Sequence, residues 1–271
     1  MENNLKMLEI VERLRKQKRE QDLETSPHLQ QKKLNELSEN CSKKCPLCDD
    51  TTWIEVRVDK RVCVYRCECF KNEIANNNNG WKKAGLTLET SKLNFTSFEK
   101  WSEDATIMKA IATRYFLNFD SIKDERNNSL ILCGNSGCGK THLIIAIANN
   151  LIRRKTNVVY MPYREIIIEL KQNVMNGDIY NEMMGKYKKA EVLLIDDLFK
   201  GQISPSDINI MFEIINYRYM SNLPMLISTE NTIAEIIAID EALGSRIHEM
   251  VGNYKSEVLG TKSNYRLKSL T

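Results

Sequence analysis

The sequence lacks several features that would place it in a common class. Its 271 residues contain no apolar run close to the ~18–20 residues that a membrane-spanning helix needs. Charges are scattered through the N-terminus without a separate apolar core, so we expect no signal peptide, no membrane partner and a cytoplasmic protein. The net charge is only +3, which by itself does not argue for nucleic-acid binding. We find no internal repeat.

Cysteine is not lacking, and its distribution is uneven. Six of the eight cysteines lie within residues 41–70, and a reducing cytoplasm disfavours structural disulfides. Two closely spaced pairs have the pattern of knuckles that hold a tetrahedral Zn²⁺ ion through four thiolates. The favoured ligands are Cys45, Cys48, Cys67 and Cys69. Cys41 and Cys63 are the alternative ligands.

The residues between the two cysteine pairs indicate the form of this module. The stretches TTWIEVRV and VCVYR alternate apolar and polar side chains, as two neighbouring strands of a zinc ribbon do. A module of this size has a small core and needs a metal as a staple. We therefore predict a zinc-binding module over residues 41–75.

Residues 1–40 and 76–90 flank the predicted module. In the first region, one helix face collects apolar side chains at i, i+3, i+4 and i+7: Met7, Ile10, Val11 and Leu14. We predict a helical arm that either packs on its own domain or binds a partner. In the second region, the run Asn-Asn-Asn-Asn-Gly interrupts any periodicity and predicts a linker.

Short apolar strands alternate with helical patterns over residues 91–271. The predicted strands are 129–133, 157–161, 191–195 and 224–228, and the predicted helices lie near 142–154, 163–175, 181–189 and 205–221. This alternation predicts βαβ units, and therefore an α/β domain whose parallel sheet is flanked by helices.

The stretch after the first of these strands, Gly134-Asn-Ser-Gly-Cys-Gly-Lys-Thr141, fits the phosphate-binding loop pattern G-x-x-x-x-G-K-[ST]. Such a loop turns backbone N–H groups onto phosphates, which requires glycine, and the following helix adds its positive dipole end. We expect Lys140 to contact the β- and γ-phosphates of ATP and the Thr141 hydroxyl to bind Mg²⁺. We expect His142 to pack against the helix. The predicted nucleotide-binding residues are Gly134, Asn135, Ser136, Gly137, Cys138, Gly139, Lys140, Thr141 and His142.

A second element of such a site is an acid at the end of a neighbouring strand. The stretch EVLLIDDLF supplies Asp196 and Asp197 at the carboxyl end of a predicted strand, where ligands bind in open α/β sheets. We expect Asp196 to hold Mg²⁺ through water. We expect Asp197 to orient or deprotonate the water that attacks the phosphate.

Three stretches together, GNSGCGKTHL, LLIDDLF and SRIHEM, resemble the AAA+ ATPases of the bacterial helicase-loader group (DnaC/DnaI-type), which includes the IstB-like proteins. The resemblance covers residues 91–271. The resemblance also extends to the cysteine region, because many such loaders begin with a zinc module. It implies the AAA+ fold and the hydrolysis of ATP.

The resemblance assigns two more residues to catalysis. Arg246 matches the arginine finger, which reaches the γ-phosphate of a neighbouring subunit; the alternative is an ordinary cation at a helix end. Glu230 stands at the sensor-1 position, where the family usually has a polar residue such as Asn. Either Thr229 or Asn231 substitutes, or Glu230 acts through a bridging water. Because Asp197 is also shorter than the usual glutamate, we expect slow, regulatory hydrolysis.

The resemblance implies a function in replication initiation. In this interpretation the N-terminal region binds a DnaB-type replicative helicase, and the AAA+ domain binds ATP and single-stranded DNA and assembles with further copies of itself. One alternative is a transposition helper ATPase like IstB. Another is a nucleotide-gated adaptor with little turnover.

Overall fold

The computed structural model describes residues 45, 48, 51, 53–58, 61–69, 80–87, 89–258, 264 and 265. They belong to two compact units, Met1–Asn72 and Glu73–Thr271, which we describe separately. The predicted helical arm at residues 1–40 lies outside the described residues, as does the Asn-rich run.

The first unit contains a two-stranded antiparallel hairpin. Strand β1 is Trp53–Val58 and strand β2 is Arg61–Arg66. Trp53 pairs with Arg66, and the Arg66 guanidinium carbon lies 3.7 Å from the centre of the Trp53 ring. This cation–π contact joins the open ends of the two strands. The prediction of two adjacent strands here is confirmed.

The second unit is built on a five-stranded sheet. Its strands are β3 (Leu130–Gly134), β4 (Val158–Pro162), β5 (Val192–Leu198), β6 (Met225–Thr229) and β7 (Lys255–Val258). The order is β4-β5-β6-β3-β7, and all four neighbouring pairs are parallel. The prediction of a parallel sheet is therefore confirmed. The short strand β7 was not predicted, because its alternating Lys-Ser-Glu-Val sequence carries little apolar signal.

Seven helices surround the sheet in the described part of this unit. They are α1 (Glu103–Ile122), α2 (Lys140–Arg153), α3 (Tyr163–Gln172), α4 (Gly177–Lys189), α5 (Pro205–Met220), α6 (Ile233–Ile239) and α7 (Glu241–Val251). Helices α2 to α5 lie where the sequence predicted them, whereas α1, α6 and α7 were not predicted. Residues 80–84 form a further helical segment, and Thr90–Lys92 forms a 3₁₀ turn. None of the helices in the described ranges combines the length and hydrophobicity that a membrane crossing requires.

The helices form two layers, one on each face of the sheet. Leu130 and Leu132 of β3 belong to the core that α1 and α2 cover, whereas Ile131 and Cys133 belong to the core that α3 to α7 cover. Alternate strand residues are therefore buried on both faces, as in other α/β proteins. Ala84 and Leu86, in the segment predicted as a linker, are buried in the first of these cores.

A fully buried arginine joins α5 to the end of α4 and to the entrances of β5 and β6. Arg218 of α5 donates hydrogen bonds to the carbonyls that follow α4 and precede β6, including those of Ala190 at 2.8 Å and Pro224 at 2.6 Å. Burial lowers the pKa of Arg218 to about 9, so the guanidinium stays charged at neutral pH. Its contacts fix the entrances of β5 and β6, and thereby the register of the strands that carry the site.

Candidate functional site

The glycine-rich loop lies between β3 and α2, at the carboxyl edge of the sheet. Gly137 and Gly139 have φ angles of 80° and 96°, in the region that favours glycine. A Cβ atom on Gly139 would stand 2.6 Å from Cε2 of Phe98, so a side chain there would collide with the ring. The loop therefore has the open backbone that phosphate binding requires.

Lys140, the first residue of α2, turns its side chain into the loop. Its ammonium group donates hydrogen bonds to the carbonyls of Gly134 at 2.7 Å and Asn135 at 3.0 Å. The residue is only 4% exposed, yet it borders the cavity in front of the loop. The buried ammonium group of Lys140 thus lies beside the N-terminus of α2. Its charge and the helix dipole both favour an anion at this place.

The cavity in front of the loop has a volume of about 560 Å³, which is a normal size for a small-molecule site. One wall is polar and includes Thr141, Asp197 and Lys200, and another is aromatic. The aromatic residues are Phe98, Trp101, His142 and Tyr265. The cavity therefore offers charged groups beside the loop and rings on which a planar base can stack.

Asp196, at the end of β5, binds three hydroxyl groups. Its Oδ1 accepts hydrogen bonds from Thr141 at 2.8 Å and from Ser228 at 2.5 Å, and its Oδ2 accepts one from Tyr160 at 3.0 Å. Burial, followed by the charge of Asp196, raises the pKa of Tyr160 above its usual range, so the phenol stays a donor. The structure thus brings Thr141 and Asp196 into direct contact.

A magnesium ion fits this pair chemically. Mg²⁺ prefers oxygen ligands and usually takes one or two from the protein, leaving the rest to water and phosphate. The hydroxyl of Thr141 and the carboxylate of Asp196 are such ligands, and Thr141 borders the cavity.

Asp197 has a strained backbone and faces the cavity. Its φ is 57°, which is uncommon for a residue with a side chain, and its N–H donates to the Ser228 hydroxyl at 2.8 Å. Such strain is frequent at functional sites, where the surrounding structure maintains it. The carboxylate forms an ion pair with Lys200 at 2.8 Å.

The sensor-1 candidates have different surroundings. The Thr229 hydroxyl is buried and donates to the carbonyl of Leu198, and the Asn231 side chain lies 3.5 Å from that hydroxyl. Glu230 instead forms an ion pair with Lys200 at 3.1 Å. Through this ion pair, Glu230 contacts a residue that borders the cavity.

Arg246 lies apart from the cavity of its own chain. It belongs to α7 and donates to Asn216 at 3.0 Å and to the carbonyl of Ala242 at 2.6 Å. Its guanidinium also lies over the ring of Phe212, at 5.2 Å. Arg246 is absent from the residues that border the cavity among those described.

His142 connects α2 to the segment that precedes α1. Its Nε2 lies 2.9 Å from the carbonyl oxygen of Asn94, which only accepts, so Nε2 carries the proton. The ring meets Phe98 edge-on, with centres 5.2 Å apart. His142 thus packs against Phe98 and bonds to the segment before α1, and its predicted place among the nucleotide-binding residues stays a prediction.

Several residues of the site were missed by sequence reasoning. They are Phe98, Trp101, Tyr160, Lys200, Ser228 and Tyr265. Ser228 could have been found from the sequence, since it is a polar residue at the end of an apolar strand. The sequence indicates Lys200 less strongly, through its position three residues after Asp197. The aromatic residues carry no motif, because separate parts of the chain supply them.

The four favoured cysteines of the first unit lie together. Their sulfur atoms all lie within 4.8 Å of one another, with Cys45 and Cys67 at 3.7 Å and Cys48 and Cys69 at 3.4 Å. Four sulfurs at ~2.3 Å from one zinc ion would be ~3.8 Å apart in a tetrahedron. The cluster thus has the geometry and chemistry of a zinc site. Cys41 and the side chain of Cys63 lie outside the described residues.

The loop, the acid pair and the parallel sheet define a P-loop ATP-binding domain of the AAA+ type. A model of the IstB-like ATP binding protein family matches residues 117–270, which is more than half of the chain. The chain therefore belongs to the IstB-like ATP binding protein family.

The chain is also similar to individual proteins. The chain is 42% identical over 213 residues to the uncharacterized protein YqaM of Bacillus subtilis, covering 74% of this chain and 66% of that protein. It is 33% identical over 236 residues to the phage-like element PBSX protein XkdC of the same organism, covering 83% and 87%. A crystal structure of the DnaC helicase loader has the same fold, with a TM-score of 0.53 and 20% identity over 64% of this chain and 98% of that one.

We predict that acidification destabilises the second unit through His142. Burial lowers the pKa of His142 below its ordinary value of 6.5. The unfolded chain therefore binds the proton more readily than the folded chain does. The contribution of His142 to the free energy of unfolding is complete above about pH 6.5 and is lost as the pH falls through the lowered pKa. The fall in melting temperature between about pH 7.5 and about pH 5.5 should be smaller in His142→Gln than in the unchanged protein.

His248 provides the control for this measurement. It lies on α7 and is exposed to solvent. His248→Gln should keep the full pH dependence. An equal fall in His142→Gln and in the unchanged protein would show that His142 is not the group responsible.

Proposed function

We propose that this protein is an ATP-dependent loader of a replicative DNA helicase, working in the cytoplasm during the initiation of DNA replication. The observation that carries the proposal is that Lys140 and Thr141 border one cavity of an IstB-like domain, with Asp196 hydrogen-bonded to Thr141 behind it. The shared fold with a DnaC helicase loader supports it.

ATP is placed by the charge of the cavity. The phosphates lie against the backbone N–H groups of the loop and the ammonium group of Lys140, and the adenine lies toward the aromatic wall around Trp101. Thr141 and Asp196 would hold Mg²⁺, which would supply positive charge to offset that of the phosphate oxygens.

Hydrolysis requires a positioned water. Asp197 borders the cavity and orients this water, whose oxygen bonds to the γ-phosphorus as the bond to the bridging oxygen of ADP breaks. Asp197 accepts the proton that the water releases, so the products are ADP and inorganic phosphate. In the structure Lys200 holds the Asp197 carboxylate in an ion pair, which must loosen first. This requirement favours slow, regulatory turnover.

Arg246 acts in a neighbouring subunit in this proposal. Its position on α7, outside the cavity of its own chain, suits a residue that completes the site of the next copy. A guanidinium there neutralises the charge that develops on the transferred phosphate. ATP binding then favours assembly, and hydrolysis releases the loader.

The N-terminal region has the role of binding the helicase. We infer that the four cysteines hold a structural Zn²⁺ ion, since the sulfurs fit one ion. The zinc fixes the ends of the hairpin and so presents a small rigid module. The AAA+ domain binds the single-stranded DNA onto which the helicase is loaded.

Removing the P-loop lysine should weaken nucleotide binding. Lys140→Ala deletes a charged donor to phosphate, so the affinity for Mg-ATP should fall by about tenfold to a hundredfold. Titration with a fluorescent ATP analogue measures this. Lys188→Ala, which removes an ion pair with Glu213 away from the cavity, is the control and should bind normally. Normal ATP binding by Lys140→Ala would refute the phosphate site.

Metal analysis should find about one zinc ion per chain. Cys45→Ser should lose the ion, because a hydroxyl is a poor zinc ligand, whereas Cys133→Ala should keep it, since Cys133 lies in β3. Protein purified without chelator and found free of zinc would contradict the site.

Loading itself can be measured on circular single-stranded DNA, which has no end for a helicase ring to thread. The unchanged protein with ATP should place the DnaB-type helicase of its host on such circles, and Lys140→Ala should not. Association with a transposase and none with the helicase would favour the transposition helper. Loading without any ATP turnover would favour the nucleotide-gated adaptor.

A further inference from the structure

Lys200 lies at the centre of a three-membered ion cluster beside the cavity. Its ammonium group lies 2.8 Å from the Asp197 carboxylate and 3.1 Å from the Glu230 carboxylate. All three side chains are partly exposed: 38% for Lys200, 32% for Asp197 and 36% for Glu230. The cluster is therefore accessible to a ligand, and its ion pairs are weak enough to exchange.

The backbone fixes where Lys200 can reach. The N–H of Lys200 donates to the carbonyl of Asp197 at 3.1 Å, which closes a tight turn directly after β5. Ser228 and Thr229 hold this turn against the end of β6, through the Asp197 N–H and the Leu198 carbonyl. Lys200 is thus placed beside Asp197 at the border of the cavity.

The three lysines that border the cavity in the described structure have different tasks. Lys140 donates to the carbonyls of the loop and serves the phosphates there, and Lys92 forms an ion pair with Glu89 at 3.1 Å. Lys200 is paired with two acids that, on their own, would repel a triphosphate. Asp197 borders the cavity and Glu230 lies behind Lys200, so the ammonium group offsets that repulsion at the border of the cavity.

We propose that Lys200 contacts the γ-phosphate of ATP bound in the same chain, with Glu230 as the residue that positions it. The proposal rests on the proposed function, since it requires ATP in this cavity. Binding transfers the ammonium group from Asp197 toward the phosphate while Glu230 retains it. Asp197 is thereby released to orient the attacking water. In this interpretation Glu230, at the sensor-1 position, holds the side chain of Lys200 in place.

Two physical arguments support the exchange. The hydrogen bond with Asp197, aided by Glu230, raises the pKa of Lys200, so the group remains an ammonium ion. A terminal phosphate carries more negative charge than one carboxylate and offers several acceptor oxygens, so it competes well for that ion. ADP lacks this phosphate, and with ADP the ion pair of Asp197 persists.

The test compares the binding of two nucleotides. Fluorescent derivatives of a nonhydrolysable ATP analogue and of ADP are titrated, with Mg²⁺, into the full-length protein. Lys200→Ala should weaken binding of the ATP analogue by about tenfold or more and change ADP binding by less than about twofold. Lys200→Gln, which keeps the length without the charge, should behave the same. Lys200→Arg should restore much of the preference for ATP.

Lys171→Ala is the matched control. Lys171 forms an ion pair of the same length, 2.8 Å with Asp207, and its side chain is 40% exposed, but it lies outside the cavity residues. This variant should keep the unchanged preference for ATP. Should the unchanged protein bind neither nucleotide, the proposed function itself fails. Should it prefer ATP and Lys200→Ala keep that preference, only the role of Lys200 is overturned.

The anchoring role of Glu230 needs a second measurement, the rate of ATP hydrolysis. Glu230→Gln should slow hydrolysis in the unchanged background, because Lys200 loses its anchor. In the Lys200→Ala background the same change should cause no further loss. A further loss there would show that Glu230 acts independently of Lys200 and would overturn the anchoring role.

Discussion

The site depends on one buried carboxylate. Asp196 accepts hydrogen bonds from hydroxyl groups on α2, β4 and β6, and so joins the loop helix to both neighbours of its own strand. A buried carboxylate without such donors would be costly, so the three hydroxyls and the acid require one another. The position of Thr141 relative to the sheet follows from this network.

The same network explains the arrangement of the strands. Strand β6 lies between the loop strand β3 and the acid strand β5, and its last residues bind both Asp196 and the turn after it. The ladder between β5 and β6 is irregular between Ile195 and Leu198, at the two aspartates. The pairing of β5 with β6 is thus regular at the apolar residues of β5 and irregular at its two aspartates. Arg218 fixes the opposite ends of these strands.

The parts of the site that could be predicted are those determined by local sequence. The loop from Gly134 to Thr141 and the acid Asp196 have fixed spacings, because a phosphate cradle and a strand end impose them. Lys200 and Ser228 could not be assigned in the same way, because their roles depend on the turn after β5 meeting the end of β6. Helix α1 was overlooked despite a regular apolar face, since no motif drew attention to it. The parallel sheet was predictable because four of its strands, β3 to β6, contain continuous apolar runs.

The aromatic wall has an optical consequence. The indole of Trp101 borders the cavity, and its ring centre lies 4.8 Å from that of Tyr265, whose N–H donates to the carbonyl of Gly137 in the loop. Under the proposed function, ATP filling the cavity replaces water around the indole with the flat face of adenine. Emission from an indole varies with the polarity around it, so the protein contains its own spectroscopic reporter of occupancy, and no external dye is needed.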